Sequence, residues 1–213
     1  MDTASITSAW VAGWTVSRGT APAVVEPWGW RIDVGLPTHV FRHVLPAPDA
    51  ISVGKLCEEI AVPGAWLKIM AGPEEAAGWI TPGWSVPDDP GYMMSKTLDP
   101  GARPPAPEGY ARTTETRDGV IRVRIVAPDG TLAARGQIAP TGVTAVADQI
   151  ETHPDHRRRG LGANVMRTLE AAAAKAGATT GVLSATRDGL ALYDTLGWRY
   201  ECPLTGIVRD GVA

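Results

Sequence analysis

The run His153-Pro154-Asp155-His156-Arg157-Arg158-Arg159-Gly160-Leu161-Gly162-Ala163-Asn164 restricts the fold of this chain more than any other stretch. Before it, Val143 to Thr152 reads as a strand. After it, apolar side chains recur at Leu161, Val165, Leu169, Ala172, Ala173 and Ala176, the spacing of one helix face. A basic, glycine-containing turn therefore joins a strand to a helix. A helix start presents unpaired backbone N–H groups and the positive end of its dipole, and together these suit a phosphate. Gly160 and Gly162 carry no Cβ, so a ligand can approach the backbone. Arg157, Arg158 and Arg159 add charge and forked donors. The turn is not a P-loop, which ends in Gly-Lys-Ser/Thr. Nor is it the three-glycine dinucleotide fingerprint, because only two glycines are present.

With 213 residues, 44% of them hydrophobic, the chain can build one large domain or two small ones. A net charge of −3 argues against a general nucleic-acid binder. Cys57 and Cys202 are too few for a disulfide framework or a zinc site, and a reducing cytoplasm is the simple reading. His39, His43 and His156 are scattered, so no metal site is expected. No apolar run approaches membrane-spanning length and the first residues are not basic, so no membrane partner is expected.

The first half is loop-rich. A helix falls within residues 1–20, with Trp10, Val11 and Trp14 on one face. Trp30 to Leu36 alternates like a half-buried strand. Asp49 caps a helix that buries Val53, Leu56, Cys57 and Ile60. Trp66 to Met70 is a short strand, Pro73 to Ile80 a short helix, and residues 85–95 are extended. Four prolines between Asp99 and Pro107 make a stiff linker. The expected division is a divergent unit at 1–98, a linker at 99–108 and a core at 109–213. In the second half, strands fall at 110–116, 120–126 and 132–138, with Asp118-Gly119 and Asp129-Gly130 as turns. After the helix at 160–176 come a strand at 180–186, a short helix capped by Asp188, and a last strand or two at 198–209. This order predicts an α/β fold with a mixed sheet.

Arg157-x-x-Gly160-x-Gly162, preceded by His153-Pro154, resembles the acetyl-CoA pyrophosphate loop of the GNAT N-acetyltransferase superfamily. Leu192-Tyr193-Asp194-Thr195-Leu196-Gly197-Trp198 is similar to that family's Leu-Tyr-x-x-x-Gly-Phe segment. The likeness covers residues 110–210. It implies that backbone N–H groups from Arg158 to Ala163 hold the pyrophosphate. It also implies that the Ile150-Glu151-Thr152 backbone pairs with the pantetheine arm, and that Tyr193 protonates the departing thiolate. Thr186 stands where the family often has Asn. The two helices usually found between its first and second strands have no counterpart after residue 110. The acceptor site is therefore expected to draw on residues 1–100.

Asp148, Glu151 and His153 lie beside the expected thioester, and Asp148 is the favoured general base, acting through a water. Alternation keeps Asp148 and Glu151 from both facing the site unless a bulge intervenes. The first half also reads as a worn copy of the second. Aligning Trp84 with Trp198, 114 positions apart, places Trp79 on Tyr193, and Pro46 and Pro48 on Gly160 and Gly162. Proline has no N–H to offer a phosphate. The implied function is transfer of an acetyl group from acetyl-CoA to a primary amine of a small molecule. A catalytically silent CoA-binding protein and a nucleic-acid binder using His156 to Arg159 are the alternatives.

Overall fold

The computed structural model describes residues 1–101 and 103–211; Ala102 of the linker and Val212 and Ala213 of the expected core lie outside them. Seventeen elements follow one another, apart from one short 3-10 turn. They are α1 (Thr3–Arg18), β1 (Val24–Glu26), β2 (Gly29–Leu36), β3 (His39–Leu45), α2 (Ala50–Glu59), β4 (Ala65–Ile69), α3 (Pro73–Trp79), β5 (Trp84–Ser85) and β6 (Gly91–Thr97). Then come β7 (Ala111–Arg117), β8 (Val120–Val126), β9 (Leu132–Thr141), β10 (Thr144–Thr152), α4 (Leu161–Lys175), β11 (Thr180–Ala185), α5 (Arg187–Thr195) and β12 (Arg199–Arg209).

All the strands join in one sheet, ordered β1-β2-β3-β4-β12-β6-β11-β10-β9-β8-β7, with β5 paired to β12. Two neighbouring pairs are parallel, β3 with β4 and β10 with β11. Each is joined by a helical crossover, as a parallel pair requires. The mixed α/β class is as expected. The expected boundary at 99–108 corresponds to no gap in the sheet. β6 precedes the linker in sequence yet pairs with both β11 and β12, which follow it. The linker itself is tied down. Arg112 donates to the carbonyls of Pro104 and Pro105 and to Asn164 and Thr168 on α4, at 2.7–3.2 Å.

Side-chain alternation sorts the helices onto two faces. Val44, Val146 and Leu204 pack with Ile6, Trp10 and Trp14 of α1 on one face. Leu45, Leu67 and Ile207 pack with α2 on the other, and there Ala145, Ala147 and Leu183 pack with Leu161, Val165 and Leu169 of α4. The helix α1 lies close against β10, because a Cβ on Gly13 would overlap Val146. Gly181 likewise leaves room for Trp198, whose indole N–H donates to buried Glu170 at 2.8 Å.

The element order β2-β3-α2-β4-α3-β5 repeats that of β9-β10-α4-β11-α5-β12. The two crossover helices begin differently. The Asp49 carboxylate accepts from Ser52 N at 2.7 Å and fills the start of α2. Gly160 at the start of α4 has no side chain to do so. Two strands, β1 and β3, escaped the sequence reading. The short helix α5 begins two residues earlier than a cap at Asp188 implies, and its cap is Thr186, which accepts from Gly189 N.

Candidate active site

The strand β10 carries the expected bulge. Its register against β9 shifts between Asp148 and Glu151, and Gln149 sits at φ 53°. The bulge resets the alternation. Ala147 and Ile150 both turn towards α4, although they lie three residues apart. Gly136 makes room for Ile150, since a Cβ there would come within 2.5 Å of its Cδ1. Past Val146 the strand also leaves β11, because only three residues of each pair, ending at Val146 and Val182. The edge of β10 from Ala147 onward is therefore free on the β11 side. The loop after it turns at Arg158, φ 62°, and at Gly160, φ 74°. The first turn of α4 is uncapped by any side chain. Its N–H groups from Leu161 to Ala163 remain unpaired, while Asn164 N bonds Gly160 O at 3.0 Å.

A cavity of about 1630 Å³ joins these features. From the loop and the start of α4, Arg157, Arg158, Gly160, Leu161, Gly162 and Ala163 line it. Ile150, Glu151 and Thr152 of β10 and Tyr193 of α5 line it too. The Tyr193 ring is buried and packs edge-on against Trp198 at 6.2 Å. Gly189 makes room for it, because a Cβ there would lie 2.9 Å from Cε2. Burial first, and then the charge of Asp148, push the Tyr193 phenol up to about 12.

Three of the expected residues sit differently from the reading. Arg159 turns away from the cavity, and its Nη1 donates to the Tyr110 hydroxyl at 2.9 Å. Glu151 pairs with Arg135 at 2.9 Å, with both side chains half exposed. Asp148 does line the cavity, but Arg18 grips both its oxygens, at 2.5 and 2.8 Å, and Ser17 donates to it at 2.8 Å. Both of its oxygens are thus committed to the end of α1.

The far end of the cavity belongs to the first half. Trp10, Trp14 and Arg18 reach it from α1, Arg42 from β3 and Lys68 from β4. Sequence reading passed over these five as site residues. A signal was present, since Arg42 and Lys68 are each a lone cation inside a short apolar strand. Arg42 is 6% exposed, lies over the Trp14 ring at 3.8 Å and donates from Nε to His39 Nε2 at 3.1 Å. Burial and the Arg18 charge lower its pKa to about 9. Burial and the Arg42 charge lower that of Lys68 to about 8. Among the described residues no cluster of three metal-ligating side chains occurs, and no helix is long and apolar enough to cross a membrane.

A splayed parallel pair, an uncapped helix start and a buried tyrosine thus meet on one cavity. Residues 92–198 match the family model described as the acetyltransferase (GNAT) family, which is half of the chain. The chain belongs to this family, whose general chemistry is acyl transfer. Among solved structures, it is similar to a GCN5-related N-acetyltransferase from Kribbella flavida, with 19% identity over 99% of this chain and 96% of that one and a TM-score of 0.66. It is also similar to a GCN5-related N-acetyltransferase from Sphaerobacter thermophilus, with 14% identity over 99% and 94% and a TM-score of 0.59. At these identities the likeness is one of fold. A comparison with curated proteins finds no match.

Proposed function

We propose that the protein transfers an acetyl group from acetyl-CoA to the primary amine of a small molecule. The observation that carries this reading is the free edge of β10 running into the uncapped start of α4 within one cavity. In this reading the N–H groups from Arg158 to Ala163 bind the pyrophosphate, helped by the Arg157 and Arg158 side chains. The Ile150–Thr152 backbone pairs with the pantetheine arm as an added strand would. The neutral amine attacks the thioester carbonyl carbon, the C–S bond breaks, and the amine's surplus proton leaves. A thiol titrates near ~8.5. A phenol held near 12 gives it a full proton only against a gradient. Tyr193 therefore donates a hydrogen bond to the developing thiolate, and the proton given up by the attacking nitrogen passes through solvent to the departing sulfur, leaving the amide and the CoA thiol. Asp148 holds Arg18, and with it the end of α1, rather than taking that proton. The two cysteines, both buried and unpaired, suit a reducing cytoplasm.

The test is calorimetric titration with acetyl-CoA, followed by thiol release across a panel of amines. Binding with turnover supports the reading. Binding without turnover of any amine replaces it with the silent CoA-binding alternative. No binding removes both.

A further inference from the structure

We infer that the acyl acceptor is an anionic amine, an amine that also bears a carboxylate, and that Arg42 and Lys68 hold that carboxylate beside Trp10 and Trp14. The inference rests on the proposed acetyl transfer and adds the class of acceptor. It starts from an imbalance of charge at the far end of the cavity. Three cations line it there: Arg18, Arg42 and Lys68. One is neutralised, because Asp148 is committed to Arg18 through both oxygens. His39, stacked on Trp66 and accepting from Arg42, stays neutral, since burial first and Arg42 next hold its pKa at about 3. Asp89 reaches Lys68 only by longer-range attraction, and Tyr193 stays protonated. Among the described residues Arg42 and Lys68 thus make no ion pair, Asp148 acts on Arg42 only at longer range, and Arg42 is more than nine-tenths buried.

A buried, uncompensated cation is costly to keep, so its occurrence points to a partner that arrives with the ligand. Position in the fold says which ligand. Arg42 and Lys68 stand on adjacent strands, β3 and β4, and face α1, because Val44 beside Arg42 and Met70 beside Lys68 both pack on α1. The pyrophosphate loop lines the same cavity but leaves β10, which stands across β12, β6 and β11 from β3 and β4, and Tyr193 belongs to α5, the helix between β11 and β12. An anion at Arg42 is therefore beyond the thioester, where the acceptor enters. The Trp14 ring, already under the guanidinium at 3.8 Å, and the neighbouring Trp10 offer a flat apolar wall to the rest of that molecule.

The test uses the full-length protein saturated with CoA. Its probes are L-amino acids, each set beside its amide and its decarboxylated amine. Calorimetry reads affinity, and thiol release with acetyl-CoA reads transfer. The expected result is at least about tenfold tighter binding of the carboxylate forms, and loss of that preference in both Arg42→Met and Lys68→Met. CoA affinity and melting temperature, measured alongside, show that each variant is folded. Lys68→Met serves as a second readout because Lys68 is less buried than Arg42. Equal affinity for charged and neutral forms, or no binding by any carboxylate form, overturns the inference. So does a preference for succinyl-CoA over acetyl-CoA that is lost in the two variants, which assigns the anion to the acyl group. Carboxylate binding that depends on both cations, with no acetyl transfer, upholds the inference and sinks the proposed reaction instead.

Discussion

Tyr193 and Gly162 are the residues through which the chemistry can be tested one atom at a time. Tyr193→Phe keeps the ring against Trp198 and removes only the hydroxyl. It is expected to leave melting temperature and CoA affinity unchanged and to lower kcat about 10²-fold, the worth of one hydrogen bond to a charged group. A phenol near 12 stays protonated through the accessible alkaline range, so the shape of the pH–kcat profile should be the same in both proteins. Unchanged kcat where chemistry is rate-limiting would make Tyr193 a packing residue. Gly162→Asp places a carboxylate in the uncapped turn of α4. Its Cβ meets the flexible end of Leu192 at 3.2 Å and the Thr152 hydroxyl at an ordinary 3.5 Å, so the fold should survive while CoA binding is lost in calorimetry. Lys68 makes a third case. Its ammonium is disfavoured by burial and by Arg42, so it is neutral above about pH 8 in the empty protein. The unfolded chain still binds that proton up to ~10.4, so this group adds stability as pH rises between the two values. An anionic acceptor needs the ammonium, and its KM should therefore climb above about pH 8 in the native protein but not in Lys68→Met. Gly162 and Tyr193 were legible in the sequence because each sits in a spaced motif. Arg42 and Lys68 were not, because their meaning lies in which face of a strand they share, and the strand holding Arg42 was itself missed.

Among the elements, α1 governs the acceptor end. Its C-terminal turn supplies Ser17 and Arg18 to Asp148, and Gln137 of β9 donates to the Ser17 carbonyl and hydroxyl at 2.7 Å. Gly13 lets the helix lie against Val146. Gly13→Leu should push α1 off the sheet at a cost of about 1–3 kcal/mol, the usual range for overpacking. Melting temperature should fall. KM for the acceptor should rise more than the dissociation constant of CoA, which meets α4 rather than α1. An equal change in both would show that α1 does not shape the acceptor end. The helix was readable from Trp10, Val11 and Trp14, and so were α4 and the hairpins of the second half, whose periods and turn residues agree. The β10 bulge was foreseen only as a condition, since two residues opposing one leave no trace in composition. The strand β3 was missed because His39, Arg42 and His43 interrupt its apolar run, and Arg42 and His43 are buried by the partners that surround them rather than by their own character.

At the scale of the molecule, the second half cannot stand alone. β6 lies between β11 and β12 and comes from before the linker. A fragment of residues 109–213 would leave both strands with open edges, which invites aggregation. It should be insoluble or inactive, and a soluble, fully active fragment would refute the continuity of the sheet. The linker looked like a boundary because prolines and glycines mark stiff, irregular chain, and they do so equally when that chain is strapped to a helix by Arg112. β12 carries a further consequence. It pairs with β4, β5 and β6, so this one strand of 11 residues joins the two parts of the sheet. In sequence it also follows every strand it pairs with. While the ribosome is still making the helix before it, β4 and β6 each wait with an unsatisfied side, and neither part can be completed as it emerges. The nascent chain must keep those sides apart from other chains until β12 has emerged as far as Arg209, so closure of the whole sheet waits for a strand made after all its neighbours.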